Sequence, residues 1–218
     1  MTDDDLIRKP QQERSRDTLK RMFDAAERLM AERPFEKISV QQIVKEAGTT
    51  TGAFYTRFKD KDSLLETMQN DYIAQTVAEL KEGLAQMAGQ PSDDHLNLVI
   101  GMISAVFRSR PALMRSIALQ YWNASEQLVR QQAQSQEHAE FGKQIRKIRG
   151  ELERIADAFG NPKPMPASHF ALKIALSSCR HHYLFSDERT VLTISNAEFE
   201  RELVKMIGYY LKNGEPGS

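Results

Sequence analysis

The sequence predicts an all-α protein, and three features of its 218 residues support this fold class. Apolar residues recur at intervals of three and four along most of the chain, which is the spacing of one face of an α-helix. Glycine (11 residues) and proline (8 residues) are sparse, so long segments can remain helical. No long run alternates polar and apolar residues, and the one β-favouring run, residues 190–194, is too short and isolated to build a sheet.

The first half of the chain contains three apolar stripes with helical spacing. The first occupies residues 19–30 and ends before Pro34, which would interrupt a helix. The second occupies residues 64–87, and the third occupies residues 96–107 and closes before Pro111. Each stripe predicts one amphipathic helix.

The second half predicts three further helices. Residues 124–159 are rich in Gln, Glu, Lys and Arg, but a narrow apolar seam from Phe141 to Phe159 predicts a solvated helix lying on a bundle. Three prolines at 162, 164 and 166 predict a loop. Residues 168–185 are apolar on nearly every side, which predicts a helix buried in a core or between subunits. Ser195 and Glu198 form a possible capping box for the last helix, which fades at 214.

Composition excludes several classes of protein. The 30 basic and 30 acidic residues give a net charge of zero, which excludes a uniformly basic nucleic-acid binder but allows a local basic face. The single cysteine, Cys179, excludes a disulfide framework. The opening residues show no secretory signal, and the most apolar stretch, residues 169–185, is too short and too charged to span a bilayer. We therefore expect a soluble cytoplasmic protein with no membrane partner.

Residues 38–65 carry the most informative pattern. Ser39 and Gln42 form a capping box that predicts a helix starting at Val40. Gly48 stands where this helix must end in a sharp turn, and Thr49 or Thr50 can cap the next helix, which runs to about residue 58 with its Phe side chains inward. Two short helices joined by a tight glycine turn form a helix-turn-helix, whose second helix can enter a major groove.

This run of residues closely resembles the TetR family of bacterial transcriptional regulators. The resemblance covers about residues 14–65, and the remaining two thirds agree only in being helical and of suitable length. The matching positions are Val40, Ile43, Ala47, Gly48, Thr50, Gly52, Tyr55, Phe58, Lys61 and Leu64. Thr49 departs from the usual small aliphatic residue, and Val44 replaces the usual Ala.

The resemblance implies a flexible arm (1–13), a three-helix DNA-binding domain (14–60) and a helical C-terminal domain (61–213) that dimerises and holds an inducer. Tyr55 and Lys61 match family positions that contact phosphates. The alternative for Tyr55 is a half-buried core residue, and the alternative for Lys61 is an ordinary surface lysine.

The chemistry of the second short helix adds further DNA-binding candidates. Small hydroxyl and methyl side chains suit hydrogen bonds and thymine contacts, glycine allows a close backbone approach, and lysine suits phosphate. The full set is Thr50, Thr51, Gly52, Ala53, Tyr55, Thr56, Lys59 and Lys61, with Arg57 adjacent. Residues 6–21 are locally basic and could follow the phosphate backbone, although a charged tail is more often merely solvated.

The C-terminal domain offers large apolar residues as walls of a ligand site. The candidates are Met102, Phe107, Met114, Tyr121, Trp122, Phe141 and Phe170, each of which could instead be plain core. The last two helices have more apolar surface than a small bundle needs, which predicts a four-helix interface in a homodimer. The predicted interface residues are Phe170, Ile174, Cys179, Tyr183, Phe199, Leu203, Met206, Ile207 and Tyr210. Cys179, His181 and His182 also suggest a metal site, but a buried thiol with interface histidines is preferred, because structural zinc requires four ligands.

We therefore interpret the chain as a ligand-responsive DNA-binding regulator. It is expected to be a repressor that leaves a palindromic operator on double-stranded DNA when a small, mostly apolar molecule binds. Repression is typical of the family and is not deduced from the residues of this chain. No nucleophile with a paired base, phosphate loop or metal motif predicts an enzyme, and no cofactor is expected. The alternative is an all-helical interaction module or small-molecule-binding protein without DNA binding.

Overall fold

The computed structural model describes residues 11–87, 89, 91–123, 135–185 and 194–213. Within these residues the regular structure is entirely helical, which confirms the all-α prediction. The chain divides between Asn70 and Asp71 into two compact parts, which we call unit 1 (up to residue 70) and unit 2 (from residue 71). No helix in the described ranges is both long and apolar enough to cross a membrane.

Unit 1 contains α1 (Gln11–Glu32), a 3-10 helix (Phe35–Lys37), α2 (Val40–Glu46), α3 (Thr51–Tyr55) and the start of α4 (Lys61–Ala85). The apolar stripe of α1 is buried at its Met and Ala positions. The core residues of unit 1 are Met22, Ala25, Ala26, Met30, Phe35, Ile38, Ile43, Val44, Ala47, Phe54, Phe58, Leu64, Leu65 and Met68. Residues 11–13 of the predicted arm are helical, and residues 1–10 lie outside the described part.

Helix α4 begins at Lys61 because the preceding residue caps it. The Asp60 carboxylate accepts hydrogen bonds from the backbone amide and the hydroxyl of Ser63, at 2.8 and 2.7 Å. These two bonds lower the pKa of Asp60. Helix α4 continues to Ala85 and contains the division between the two units. The sequence analysis predicted the domain boundary between residues 60 and 61.

Unit 2 contains the rest of α4, followed by α5 (Asp93–Arg108), α6 (Pro111–Asn123), α7 (Gln136–Ala158), α8 (Pro164–Phe185) and α9 (Asn196–Asn213). Helix α8 packs on α5, α6, α7 and α9, so it is the central helix of this unit. The core is apolar and includes Leu80, Leu96, Ile100, Ile103, Ile148, Leu152, Ile155, Ala171, Ala175 and Leu203.

The structure corrects two expectations about helix bounds. Helix α8 begins at Pro164, where a loop was predicted; proline is favourable in the first turn of a helix, because its missing N–H needs no partner there. Phe170 and Phe185 of helix α8 are exposed in the single chain, so of the two predicted environments the core of unit 2 covers only part of this helix. Regular helix α3 ends at Tyr55 rather than near residue 58, although the Phe58 amide still bonds to the Phe54 carbonyl at 2.9 Å. The predicted segments 124–134 and 190–193 lie outside the described residues.

Candidate functional site

Reciprocal hydrogen bonds fix the start of α2. The Ser39 amide donates to the Gln42 side-chain oxygen at 2.8 Å, and the Gln42 amide donates to the Ser39 hydroxyl oxygen at 3.2 Å. These bonds satisfy two of the amides that the first turn of a helix leaves without partners. The predicted capping box and the helix start at Val40 are confirmed.

The turn between α2 and α3 depends on Gly48. Its φ of +59° lies in the left-handed region, which glycine adopts without a steric penalty. The following Thr49 amide bonds back to the Val44 carbonyl at 2.9 Å, which closes the end of α2. Thr50 then caps α3, its hydroxyl oxygen accepting from the Ala53 amide at 3.1 Å. A helix-turn-helix is therefore built from residues that bond to their own neighbours.

Helix α3 separates its aromatic side chains between two faces. Phe54 and Phe58 are buried, with ring centroids 5.3 Å apart, as predicted. Tyr55 packs against Phe54, with ring centroids 5.4 Å apart, and 55% of its surface is exposed. The buried pair anchors α3, and the opposite face remains open.

The predicted DNA-binding residues of α3 and its flanks lie mainly on this open face, which we call the α3 face. Its exposed members are Thr50, Thr51, Gly52, Tyr55, Thr56 and Lys59, while Ala53 is half-buried. The Thr56 hydroxyl bonds to the Gly52 carbonyl at 2.8 Å. Hydroxyls, one phenol and one ammonium group therefore project from one short stretch, which suits contacts with phosphates and base edges.

The Lys61 side chain binds the backbone around the 3-10 helix. Its Nζ donates to the backbone carbonyls of Phe35 (3.0 Å), Glu36 (3.0 Å) and Ile38 (3.2 Å), and it lies 4.9 Å from the centre of the Phe35 ring. A lysine ammonium has three protons, so these three bonds use all of them. Lys61 thus stabilises the 3-10 helix, and a phosphate contact would have to replace one of these bonds.

Arg57 joins α3 to α1. One guanidinium nitrogen donates to the Ala53 carbonyl at 2.9 Å and the other donates to the Ser15 hydroxyl at 3.1 Å. Of the basic stretch at residues 6–21, the structure describes Arg16, Lys20 and Arg21 as exposed residues of α1, and Arg21 also donates to the Gly48 carbonyl at 3.4 Å.

The predicted ligand-binding residues are dispersed over unit 2. Phe107 is buried, whereas Met102, Met114 and Phe141 are half-buried against the core. Phe170 is 50% exposed. Tyr121 and Trp122 belong to α6, but their side chains lie outside the description. These residues stay candidates.

A groove in unit 2 was missed by the sequence reasoning. It lies between α4 and α7 and has a volume of about 660 Å³. Its lining combines four cations and two carboxylates around small and apolar residues: Lys81, Leu84, Ala85, Glu140, Lys143, Lys147, Gly150, Glu151 and Arg154. The Glu140 carboxylate is 3.0 Å from Lys81 Nζ, and this hydrogen bond lowers the pKa of Glu140.

Gln144 was also missed. It is fully buried on the same face of α7 as Ile148, and its Nε2 donates to Glu140 Oε1 at 2.7 Å. In the described part of the chain, its Oε1 is the one buried side-chain oxygen or nitrogen without a hydrogen-bond partner. Periodicity could not identify it, since a Gln in a polar helix gives no signal of burial.

Cys179 is enclosed in the core, with its Sγ 3.6 Å from the Ser104 hydroxyl. Burial raises the pKa of its thiol to about 11, so the thiolate is scarce at neutral pH. His182 stacks on Phe199 with ring centroids 3.9 Å apart and lies 2.9 Å from Asn196 Oδ1. Among the described residues no group of three or more His, Cys, Asp or Glu could hold a metal ion.

Three predicted interface residues belong to the core instead. Cys179, Leu203 and Ile207 are enclosed within unit 2, because they occupy the inner faces of α8 and α9, and they offer no surface to a second chain. Ile174, Tyr183, Phe199 and Tyr210 are half-buried against the same core.

Two predicted interface residues are exposed on these helices. Phe170 lies 5.0 Å from Tyr210, measured between ring centroids, and Met206 is 49% exposed. Tyr209, which the sequence reasoning missed, is 72% exposed. We call Phe170, Met206, Tyr209 and Tyr210 the α8–α9 face.

Comparison with known proteins places the helix-turn-helix in a family. The family described as "Bacterial regulatory proteins, tetR family" matches residues 23–68. The uncharacterized HTH-type transcriptional regulator YerO of Bacillus subtilis (strain 168) is 33% identical over 88 residues, which cover 40% of this chain and 30% of YerO. An uncharacterized HTH-type transcriptional regulator of Haemophilus influenzae is 33% identical over 66 residues, or 30% of this chain and 35% of the relative. The chain thus spans about a third of the length of the curated relatives it matches.

Solved structures share the fold over most of the chain. The regulator FadR from Bacillus subtilis, crystallised with stearoyl-CoA, has a TM-score of 0.59 at 18% identity and covers 89% of this chain and 98% of its own. The fatty acid degradation regulator FadR from Bacillus halodurans has a TM-score of 0.59 at 14% identity, with coverages of 97% and 100%. Residues 23–68, which contain the helix-turn-helix of unit 1, therefore match the TetR family of bacterial regulatory proteins, and the solved structures share the all-helical fold over most of the chain.

Proposed function

We propose that the protein is a ligand-responsive transcriptional regulator that reads double-stranded DNA with the α3 face. The observation that carries this proposal is the orientation of α3 and the residues that follow it: Phe54 and Phe58 are buried, whereas the threonine hydroxyls, Tyr55 and Lys59 are exposed. A helix presented in this way can lie in a major groove and place small side chains against base edges.

We assign different roles to the residues of the α3 face. Tyr55 and Lys59 contact phosphates and so position the helix, since phenol and ammonium groups donate hydrogen bonds to phosphate oxygens. Thr50, Thr51 and Ala53 lie nearer the base edges, where hydroxyls and methyl groups discriminate among bases. Gly52 lets the backbone approach the DNA closely.

The regulator acts as a homodimer on a palindromic operator. The α8–α9 face supports this part of the proposal, because aromatic residues and methionine at an exposed helix pair favour association with a second copy. A two-fold dimer places two α3 helices on two half-sites related by the same symmetry. Tyr209→Asp is expected to convert the dimer to a monomer in analytical ultracentrifugation, and a wild-type protein that sediments as a monomer would contradict the assignment.

A small molecule binding in unit 2 releases the DNA, so that the protein acts as a repressor. The FadR regulator crystallised with stearoyl-CoA shares the fold, which supports a ligand site in the C-terminal helices. The ligand shifts the population toward a conformation in which the two α3 helices are wrongly spaced. Helix α4 contains residues of both units and is the route for this coupling, for which about 1–3 kcal/mol suffices.

Selection from random duplex DNA tests the proposal. The wild-type protein is expected to enrich one palindromic sequence, and a Tyr55→Ala variant with unchanged circular dichroism is expected to enrich none. Enrichment of no sequence by the wild-type protein would contradict DNA reading and favour the helical interaction module.

A further inference from the structure

The groove between α4 and α7 carries an excess of positive charge. Four cationic side chains and two carboxylates line it, which leaves two positive charges without a negative counterpart. The Glu140 carboxylate lies 3.0 Å from Lys81 Nζ and 3.9 Å from Lys143 Nζ. The Glu151 carboxylate lies 2.6 Å from the Arg154 guanidinium. An anion in the groove therefore meets carboxylates whose charge is already balanced by neighbouring cations.

Lys147 has no carboxylate partner among the residues that the structure describes. Its side chain is exposed and forms neither an ion pair nor a hydrogen bond there. It lies four residues after Lys143 and four before Glu151, so all three occupy one face of α7. The Glu151 carboxylate is bonded to Arg154 instead. The three N–H donors of the Lys147 ammonium therefore remain available to a bound anion.

Gly150 keeps the middle of the groove open. Glycine inside a helix is destabilising relative to alanine. Gly150 lies well within α7, its φ is not positive, and an added Cβ would meet no atom within 4 Å. Neither packing nor backbone conformation gives a reason for glycine at this position, whereas an open groove does.

The volume and the charge of the groove define a class of ligand. About 660 Å³ lies within the range of small-molecule pockets, roughly 300–1,000 Å³, so the groove can hold an organic molecule. A phosphate monoester carries about 1.5–2 negative charges at pH 7 and three strong acceptor oxygens. These properties match the excess charge and the donors of Lys143, Lys147 and Arg154. Leu84 and Ala85 on the α4 side offer apolar contact to the rest of the molecule.

We propose that the groove between α4 and α7 binds the phosphate group of a small phosphorylated molecule, with Lys147 as its principal contact. Lys143 and Arg154 lie on the same helix face, and the five N–H groups of Arg154 exceed its bonds to Glu151 and to the Gly89 carbonyl. This site goes beyond the proposed function: its chemistry is polar, and it requires neither DNA binding nor release of DNA.

Two other anions match the groove less well. A monocarboxylate brings one negative charge and leaves one positive charge unbalanced. Duplex DNA carries one negative charge per about 1.7 Å of its axis, so several phosphates would face Glu140 and Glu151 at once. A single dianionic group avoids this repulsion, because it needs to approach only the Lys147 side of the groove.

Isothermal titration calorimetry at pH 7.5 without DNA tests the assignment. The probes are 1-naphthyl phosphate and 1-naphthalenesulfonate, which share the ring system and have three terminal oxygens each. The sulfonate carries one negative charge, whereas the phosphate carries nearly two. The wild-type protein is expected to bind the phosphate with a Kd below about 1 mM, and about 10-fold or more tightly than the sulfonate.

Three variants locate the bound phosphate. Lys147→Gln should weaken its binding about 10-fold or more, since a charged hydrogen bond is lost. Arg146→Gln is the matched control, because it removes a positive charge from the adjacent exposed residue, which does not line the groove; it should bind as the wild-type protein does. Gly150→Leu should fill the groove and abolish binding with an unchanged or higher Tm, because leucine favours a helix more than glycine does.

Four results would overturn the proposal. They are no binding of the phosphate probe, equal affinity for phosphate and sulfonate, equal losses in Lys147→Gln and Arg146→Gln, or binding that survives Gly150→Leu.

DNA binding provides the remaining comparison. If Lys147→Gln reduced the slope of log K against log[salt] for DNA by about 1 and Arg146→Gln did not, the groove would be a DNA contact, and the proposal would be wrong. Because the calorimetry contains no DNA, a wild-type protein that fails to bind DNA would remove the proposed function and leave the result for the groove intact.

Discussion

Units 1 and 2 use their polar residues in opposite ways. In unit 1, short-range bonds from Ser39, Gln42 and Thr50 fix the starts of α2 and α3, and the polar side chains of α3 and its flanks are exposed. In unit 2, long helices pack an apolar core, and several polar side chains, including Gln144, are buried within it. The polar residues proposed to read DNA therefore face outward, whereas those of the unit 2 core are enclosed.

The largest effect should come from removing the anchor of α3. Phe54→Ala is expected to lower the free energy of unfolding by about 3–5 kcal/mol, because it deletes a fully buried ring from a small core. Chemical denaturation followed by circular dichroism measures this. Tyr55→Ala is the adjacent control on the exposed face and should cost far less stability; equal losses would contradict the separation of the two faces.

The Tyr55 hydroxyl should matter for DNA and not for folding. Tyr55→Phe keeps the edge contact with Phe54 and removes only the hydrogen-bond donor. Because a hydrogen bond to a charged phosphate is lost, we expect operator binding to weaken about 10- to 150-fold. The Tm should not change. Fluorescence anisotropy with labelled DNA measures the affinity. If the DNA affinity of Tyr55→Phe equalled that of the wild-type protein, Tyr55 would not belong to the DNA interface.

Lys59 and Lys61 are two residues apart but should behave differently. Lys61→Met is expected to destabilise unit 1 by about 1–3 kcal/mol, since three carbonyls lose a charged donor. Lys59→Ala should leave stability unchanged and reduce the slope of log K against log[salt] by about 1. If Lys61→Met were to reduce that slope by as much, Lys61 would be a phosphate contact, as the family resemblance implies.

A smaller effect is expected at the turn. Gly48→Ala should cost about 1–2 kcal/mol of stability through its left-handed backbone alone, because the nearest atom to an added Cβ is the flexible Arg21 guanidinium at 3.8 Å. Gly48→Asn should cost less, since asparagine tolerates this conformation. Urea denaturation compares the two variants, and equal costs would show that the backbone conformation is not the cause.

In unit 2 the buried thiol should affect the pH dependence of stability. Its pKa is raised from 9.0 to about 11 in the folded protein, so between these values the unfolded state binds fewer protons and the free energy of unfolding falls as pH rises. Cys179→Ala should fall less steeply over pH 9–11 in urea titrations. Parallel curves for the two proteins would contradict burial of this thiol.

The predictable parts of the molecule are those fixed by neighbouring residues. The capping box at Ser39, the cap predicted at Thr49 or Thr50 and the buried Phe54 and Phe58 depend on residues within a few positions. The structure confirms the capping box and the two buried rings, and it selects Thr50 as the cap.

Other features depend on packing between distant helices, which periodicity does not encode. The apolar content of α8 and α9 did not distinguish the inner faces, with Cys179, Leu203 and Ile207, from the outer face carrying Tyr209. The bonds of Lys61 to residues 35–38 join segments more than twenty positions apart. The Pro164 helix start was missed because a proline is read as a helix breaker before its position in the first turn is known.

The central claim, that the α3 face reads DNA sequence, is tested most directly by binding to the DNA upstream of the protein's own gene across a range of salt concentrations, beside a scrambled fragment. The account predicts tight binding to the upstream fragment alone, with affinity that falls steeply as salt rises. Weak and equal binding to both fragments, together with no enrichment in the DNA selection, would contradict it.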